Sequence, residues 1–240
     1  MGVASEYVSA ALSVARRLAT TLIRALKICV LPVTAYEEIC GSPDFLGPLF
    51  LIALCALISL AQYDVVFSRV VEVEGGELVR MVTVMDVAHV LLAWRVFSMI
   101  MVWILLFVLL WVLSKVLGGD VDSYTLFSAI GYVFVVQLML SIVDLAYTAV
   151  VMSSMPNVVV TPMRELKREL QAGLGLDLLF NLHREWLGPK RVYHWFFNLW
   201  SMVLYAVIAR TASKLSWPKA AVAGFAAHLI TMLASVLIGL

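Results

Sequence analysis

Five long apolar segments follow one another along the sequence, separated by shorter stretches that contain charged, Gly and Pro residues. A transmembrane helix needs about 20 mostly apolar residues, because no backbone amide can go without a hydrogen bond in lipid. The pattern therefore predicts an all-α membrane protein with five transmembrane helices, in one membrane domain over residues 31–240. The expected spans are at about residues 45–63, 94–116, 123–150, 193–211 and 218–239.

The first 30 residues have an amphipathic pattern instead. Four cations, Arg16, Arg17, Arg24 and Lys27, share one face of the helical wheel with Ser and Thr, whereas the opposite face is rich in Ala and Leu. A basic amphipathic helix of this kind lies in the headgroup region of a bilayer and does not span it. We therefore predict an N-terminal surface helix over residues 1–30, with these four cations at the membrane surface. A helix packed on the spans, with its cations in water, is the alternative interpretation.

Two polar stretches between the predicted spans have patterns of their own. Residues 70–84 alternate imperfectly between apolar and polar around Gly75-Gly76, a pair that suits a two-residue turn, and this predicts a small β-hairpin outside the lipid. Between the third and fourth spans, Thr161-Pro162 can open a helix and Gly188-Pro189 can end one. We expect a helical insertion at the membrane surface there.

The composition supports a membrane location and argues against other classes. Hydrophobic residues make up 63% of the chain and charged residues 14%, whereas soluble domains are about half apolar and about a quarter charged. The formal net charge of +1 provides no basic field, so we expect no nucleic-acid partner. Cys29, Cys40 and Cys55 match no metal or CxxC spacing, and we interpret them as small buried side chains.

No recognisable catalytic, metal-binding or phosphate-binding motif occurs in the sequence. GxxxxGK[ST], HExxH and GxSxG are all absent, and the four histidines are scattered without an i, i+4 pair. We therefore expect no enzyme activity, no catalytic residue, no metal and no cofactor.

Polar residues inside the apolar segments are the candidates for an intramembrane site. Asp144 lies inside the third segment or near its end, and a charge at the bilayer centre costs about 3 kcal/mol. Asp144 could form a proton or cation site with Gln137. We favour the other interpretation, in which Asp144 lies at the end of the span or fastens the bundle by pairing with Arg95 or His228. His228 lies in the middle of the fifth segment, where a neutral histidine often hydrogen-bonds another helix.

Small residues recur in the fifth segment as Ala220-xxx-Gly224 and Ala223-xxx-Ala227. This spacing allows two helices to approach closely, and we expect it to serve packing within the chain and not a dimer face. The cations do not determine the orientation of the spans. A cytoplasmic N-terminus would place eight Lys and Arg residues inside and nine outside, and the N-terminal cations favour that orientation only slightly.

Three stretches, in their order and spacing, resemble the Yip family of five-span membrane proteins. The first, Leu31–Pro48, is similar to the family's helix, short turn and proline-containing approach to the first span. The second, Leu117–Tyr132, looks like the family's GGxxxxxxxxxxxGY passage into the third span. The third comprises Phe197–Trp200 in the fourth span and Leu215–Ala220, which opens the fifth.

This resemblance covers about residues 31–240 and implies five spans, with the N-terminus cytoplasmic and the C-terminus outside. The better-known members are proteins of the eukaryotic Golgi and endoplasmic reticulum that interact with Rab/Ypt GTPases. The present sequence lacks their long N-terminus and acidic motif, and its segment after the third span is longer and more charged. It is therefore similar to prokaryotic members with a short N-terminus, which implies the plasma membrane of a prokaryote.

Together these observations predict a non-enzymatic integral membrane scaffold, or an accessory subunit of a membrane protein complex, that could also shape or organise the bilayer. The expected partners are the lipid bilayer and either another integral membrane protein or further copies of the chain. The alternative is a small transporter or channel in which Asp144, Gln137 and His228 line a polar path. Transport folds usually contain inverted repeats or helices broken within the membrane, and the sequence indicates neither.

Overall fold

The computed structural model describes residues 2–68, 70–74, 77–81, 88–154, 158–160 and 187–238, and most of these are helical. In chain order the helices are α1 (Gly2–Val30), α2 (Pro32–Gly41), α3 (Leu46–Phe67), α4 (Ala88–Val116), α5 (Ser123–Gly131), α6 (Phe134–Ser154), α7 (Leu187–Ala212) and α8 (Trp217–Ile238). The strands are β1 (Val70–Glu74), β2 (Glu77–Met81) and β3 (Val158–Val160).

Within the described residues, four helical stretches are long and apolar enough to cross a bilayer. They are Leu46–Phe67, Leu92–Val116, Ser123–Ser154 and Gly188–Ala212. These stretches coincide with the first four predicted segments. The 22-residue helix α8 occupies the position of the fifth segment, and its crossing of the bilayer stays a prediction.

The third apolar segment forms a candidate span over Ser123–Ser154, as predicted, but a turn at Tyr132 and Val133 divides it into two helices. Helix α5 ends at Gly131 and α6 begins at Phe134. Between them the amides of Tyr132 and Val133 donate to carbonyls three residues earlier, at 3.2 and 3.0 Å. Such bonds tighten the end of an α-helix. Helix α6 alone has 21 residues, which is long enough for one crossing.

Other helix ends also differ from the predicted ones. Gly188-Pro189 lies in the first turn of α7, where the missing N–H of a proline needs no partner. Helix α7 begins at residue 187 and α4 at residue 88, a few residues before the expected spans at about 193–211 and 94–116. The predicted helical insertion falls on residues 161–186, which lie outside the described part of the chain.

The chain divides into two compact units, and each is described by itself. The first unit comprises Met1–Ile52, Trp103–Val135 and Ser201–Leu229. It has a core of fully buried side chains from α1 through α7, of which the largest are Tyr36, Tyr132, Ile28, Ile39, Leu51, Leu110, Leu126, Ile130, Leu204 and Ile208. Burial of each such side chain contributes about 1.5–3 kcal/mol relative to exposure in water.

The second unit comprises Ala53–Val102, Val136–Trp200 and Ile230–Leu240. It contains a three-stranded sheet in the order β2-β1-β3, in which β1 runs antiparallel to β2 and parallel to β3. Antiparallel pairing of β1 with β2 is the arrangement that the predicted hairpin requires. Its expected turn, Gly75-Gly76, lies outside the described residues.

Helices α7 and α8 approach closely within the first unit. A Cβ atom added to Gly224 would lie 2.5 Å from the backbone nitrogen of Ala206 and 2.8 Å from its Cα. Ala220, Ala223 and Ala227, the other small residues of the predicted motif, have no exposed surface. This contact lies within the chain, as we expect for small residues at this spacing.

We predict that Gly224→Ala destabilises the protein by about 1–3 kcal/mol, because the methyl group would meet main-chain atoms that cannot move aside cheaply. Gly188→Ala is the matched control, since no atom of the described residues lies within 4 Å of its Cβ position. Thermal unfolding in detergent measures both. Equal unfolding temperatures for the two variants would contradict the close packing of α7 on α8.

Candidate functional site

Arg24 leaves the polar face of α1 and ends in a set of polar groups within the first unit. Its side chain is only 11% exposed. One guanidinium nitrogen, Nη1, lies 2.6 Å from Oδ2 of Asp44. The other, Nη2, donates to the carbonyl oxygen of Ser42 at 3.1 Å and to the Ser42 hydroxyl. A charged group this well buried needs such partners, because an unpaired charge away from water is costly.

Asp44 completes the arrangement from the loop between α2 and α3. Its Oδ2 also accepts a hydrogen bond from the hydroxyl of Tyr132 at 2.8 Å, and its Oδ1 accepts from the backbone N–H of Gly47 at 2.7 Å. The second of these bonds satisfies an amide in the first turn of α3, as a helix N-cap does. The backbone of Asp44 exchanges two hydrogen bonds with the Ser128 hydroxyl, at 3.0 and 2.7 Å.

We call Arg24, Ser42, Asp44, Ser128 and Tyr132 the arginine cluster. It joins α1, the α2–α3 loop, α5 and the α5–α6 junction, and both oxygens of its carboxylate accept hydrogen bonds. Lys27, one turn further along α1, forms a more exposed ion pair with Glu38 of α2 at 2.6 Å. Charge pairing therefore fastens the C-terminal half of α1 at two points.

Glycines next to the cluster allow its close packing. A Cβ atom on Gly47 would overlap the hydroxyl of Tyr132. A Cβ atom on Gly131 would lie 2.5 Å from Cβ of Pro48 and 2.7 Å from Cζ2 of Trp103. The backbone of α5 thus lies directly against the start of α3. The turn at Tyr132 and Val133 directly follows this contact.

Aromatic rings pack together next to the arginine cluster. The Trp103 ring stacks on that of Phe127 with centroids 4.4 Å apart, and its indole N–H donates to the Phe127 carbonyl at 2.9 Å. Phe45 lies edge-on against Tyr124, at 4.6 Å between centroids. Such aromatic pairs contribute about 0.5–1.5 kcal/mol beyond the area they bury.

The loop that follows α4 also meets the α7–α8 loop and the first turn of α8, within the first unit. Nζ of Lys219 donates to the carbonyl oxygen of Leu117 at 2.7 Å, beyond the last turn of α4. Gly119 packs against the Ser213 carbonyl, where a Cβ atom would be only 2.8 Å away. Gly118 has a φ of +79°, a conformation that glycine adopts without strain.

Asp144 lies near the midpoint of α6, in the second unit, and its partners come from α7. Its Oδ1 accepts a hydrogen bond from the Tyr193 hydroxyl at 2.6 Å and lies 3.1 Å from Nε2 of His194. The Asp144 side chain is 15% exposed. Tyr147, one turn further along α6, lies edge-on against the Tyr193 ring. The sequence suggested Arg95 or His228 as partners, and the described contacts of Asp144 are with Tyr193 and His194 instead.

The other predicted polar residues have separate surroundings. Gln137 is half-buried on α6. Arg95 is half-buried on α4, and its Nε is buried without a hydrogen-bond partner among the described residues. The His228 ring lies 6.0 Å from that of Tyr205, within the first unit. None of the contacts described for Gln137, Arg95 or His228 joins these residues to Asp144.

The thiols of Cys29 and Cys40 and the hydroxyl of Tyr36, on α1 and α2, are poorly reactive. Cys29, Cys40 and Cys55 form no disulfide. Burial raises the pKa of the Cys29 and Cys40 thiols and raises that of the Tyr36 hydroxyl well above its usual value. The two thiols and the Tyr36 hydroxyl therefore stay protonated at neutral pH, and a protonated thiol is a poor nucleophile. Among the described side chains, no group of three His, Cys, Asp or Glu residues is arranged to hold a metal ion.

A family model described as the Yip1 domain matches residues 27–239. The chain belongs to the Yip1 family. It matches no curated protein and no solved structure. Family membership together with the apolar helices makes it a protein integral to the membrane.

The Yip1 match clarifies how the arginine cluster is assembled. Ser42, Asp44, Ser128 and Tyr132 lie inside the matched range, whereas Arg24 precedes it. The stretches that carry the family resemblance also meet one another, since Asp44 contacts Tyr132 and Lys219 contacts Leu117. The domain thus provides a polar site that receives one cation from the helix in front of it.

Sequence reasoning missed the arginine cluster as a unit. The sequence predicts Arg24 at the membrane surface, and Asp44 lies just before the first predicted span. One signal was available, because Asp44 lies three residues before Gly47 at the start of an apolar run, which is typical of a helix N-cap. Nothing local connects Asp44 with Tyr132, 88 residues away.

We predict that Tyr132→Phe destabilises the protein by about 1.5 kcal/mol, because it removes a hydrogen bond to a charged group in a buried place. Tyr124→Phe is the matched control, since its half-exposed ring makes an aromatic contact that the substitution preserves. Thermal unfolding in detergent should separate the two variants. A Tyr132→Phe protein as stable as the control would show that the cluster contributes little.

A second substitution tests the role of Asp144. Asp144→Asn should destabilise the protein by about 1–3 kcal/mol, because a neutral amide oxygen accepts the hydrogen bonds from Tyr193 and His194 more weakly than the charged carboxylate does. Asp120→Asn is the control, since Asp120 forms an exposed ion pair with Lys214, and such pairs contribute little. Unchanged unfolding of Asp144→Asn would argue that this carboxylate does not fasten α6 to α7.

Proposed function

We propose that this Yip1-family protein is a non-enzymatic membrane scaffold, or an accessory subunit of a membrane protein complex. On this proposal all five apolar helices, including α8, cross the membrane. The N-terminus lies in the cytoplasm, and the membrane is the plasma membrane of a prokaryote. The further partner is another integral membrane protein or another copy of the chain.

The observation that carries this proposal is that Arg24, Asp44 and Asp144 all bond to other parts of the same chain. Each has partners on a different helix or loop of the same chain, at 2.6 to 3.1 Å. A side chain that binds a transported ion or acts on a substrate must have a hydrogen-bonding or coordination position that is open to the ion or substrate. In the arginine cluster, by contrast, the guanidinium and carboxylate groups form hydrogen bonds that join elements of the same chain. A stable platform for helix packing requires such bonds.

A transporter or channel is the alternative, and one observation favours it. Asp144 is an acid near the midpoint of an apolar helix, with a half-exposed histidine beside it. Intramembrane acids commonly mark ion or proton pathways. Gln137, on the same helix, and His228 would then contribute to a polar path.

Ion and proton flux into proteoliposomes distinguishes the two functions. The scaffold proposal predicts no flux above protein-free vesicles for the wild type or for Asp144→Asn. A flux that is present in the wild type and lost in a folded Asp144→Asn protein would reverse the ranking. Asp120→Asn is again the control.

Purification in mild detergent tests the positive part of the proposal. We expect a defined complex, either with a stoichiometric membrane partner or with further copies of this chain. Mass measurement of the complex identifies which. A protein that is monomeric under every mild condition would contradict the scaffold proposal.

A further inference from the structure

The helix α1 consists of two halves with different surroundings. In the C-terminal half, Thr21, Ala25 and Ile28 are buried in the first unit. In the N-terminal half, every side chain described between Tyr7 and Thr20 is exposed except the half-buried Leu18. These residues extend over roughly 20 Å at the usual rise of an α-helix.

The four cations of α1 follow the same division. Arg24 and Lys27 are engaged with Asp44 and Glu38, so most of their charge is neutralised within the protein. Arg16 and Arg17 are exposed, and the chain contains no acid between Glu6 and Glu37 that could offset them in the same helix. The exposed half is therefore positively charged.

The exposed half also has an apolar stripe. Val8, Leu12, Ala15, Ala19 and Leu22 recur at alternating intervals of four and three residues, and all of them are exposed. Residues at these intervals share one side of an α-helix. The position of Leu12 illustrates the consequence, because its side chain is 66% exposed. Arg16 flanks this stripe and Arg17 lies on the other side of the helix, so an apolar surface that also carries negative charge suits this half of α1.

The arginine cluster sets the level at which α1 is attached. Arg24 bonds to Ser42 and Asp44, which lie four and two residues before the first residue of α3, a helix of transmembrane composition. The start of a transmembrane helix lies at the boundary between hydrocarbon and headgroups. Arg24 therefore attaches α1 at the depth of the headgroups.

From this arrangement we infer that residues 7–20 form an arm that binds the anionic surface of the bilayer. Arg16 and Arg17 recognise the lipid charge, the apolar stripe enters the headgroup region, and Arg24 and Lys27 only anchor the arm. This inference rests on the proposed membrane location but not on the scaffold role. It limits the recognition of lipid charge to two of the four cations on α1.

Hydrogen exchange of the full chain in nanodiscs tests this inference. Amides of residues 7–20 should exchange more slowly in discs that contain phosphatidylglycerol than in discs of phosphatidylcholine alone. Replacement of both Arg16 and Arg17 by Ser should remove this difference. Two cations near an anionic surface change the ratio of bound to free arm by roughly thirtyfold, which sets the scale of the effect.

Two further variants separate recognition from anchoring. Lys214→Ser removes an exposed cation elsewhere in the first unit, so the dependence on lipid charge should persist. Lys27→Ser removes an anchoring cation on α1 itself, and the dependence on lipid charge should persist there too. Loss of the dependence in Lys27→Ser but not in the double variant would overturn the assignment of the cations.

Other occupants of the stripe would give different results. If a second copy covered it, protection would depend on having two chains in one disc and not on lipid charge. Equal exchange in neutral and anionic discs would likewise overturn the inference. Either outcome would leave the scaffold proposal standing, because flux and purification test that proposal separately.

Discussion

The ion pair between Arg24 and Asp44 is the interaction on which the surrounding structure depends. A guanidinium that is 11% exposed loses much of its hydration, and only well-placed hydrogen bonds offset that loss. Ser42, Tyr132 and the first turn of α3 provide these bonds or share the carboxylate. The requirement that they meet at one point constrains the α2–α3 loop, the α5–α6 junction and the C-terminal half of α1.

The same requirement brings the backbone of α5 close to the start of α3. Tyr132 reaches Asp44 only because Gly47 and Gly131 carry no Cβ atom, and because α5 ends where Pro48 and Trp103 are in contact with it. The resemblance to the Yip family was carried by these glycines, prolines and aromatic residues. Their physical meaning becomes clear in the fold, since they are the residues that allow the elements around the cluster to touch.

The features predictable from the sequence are those that depend on local composition. Four apolar segments were predictable as helices of membrane-spanning length because hydrocarbon excludes other backbone conformations. The close approach at Gly224 was predictable from the spacing of small residues. The partners of Asp144 were not, because the rotation and depth of α7 relative to α6 determine which side chain meets the carboxylate. For the same reason, the sequence alone does not indicate that Arg24 pairs with Asp44, 20 residues further on. The break at Tyr132 was hidden by the continuous hydrophobicity of α5 and α6.

A double-mutant cycle between Arg24 and Asp44 tests the central claim most directly. Unfolding free energies would be compared for Arg24→Gln, Asp44→Asn and the double variant, with a parallel cycle for the exposed pair Lys27 and Glu38. For the buried pair we expect a coupling energy of about 1–3 kcal/mol, and for the exposed pair no more than about 1 kcal/mol. Additive effects of the Arg24 and Asp44 substitutions, within about 0.5 kcal/mol, would contradict the account that this ion pair organises the first unit.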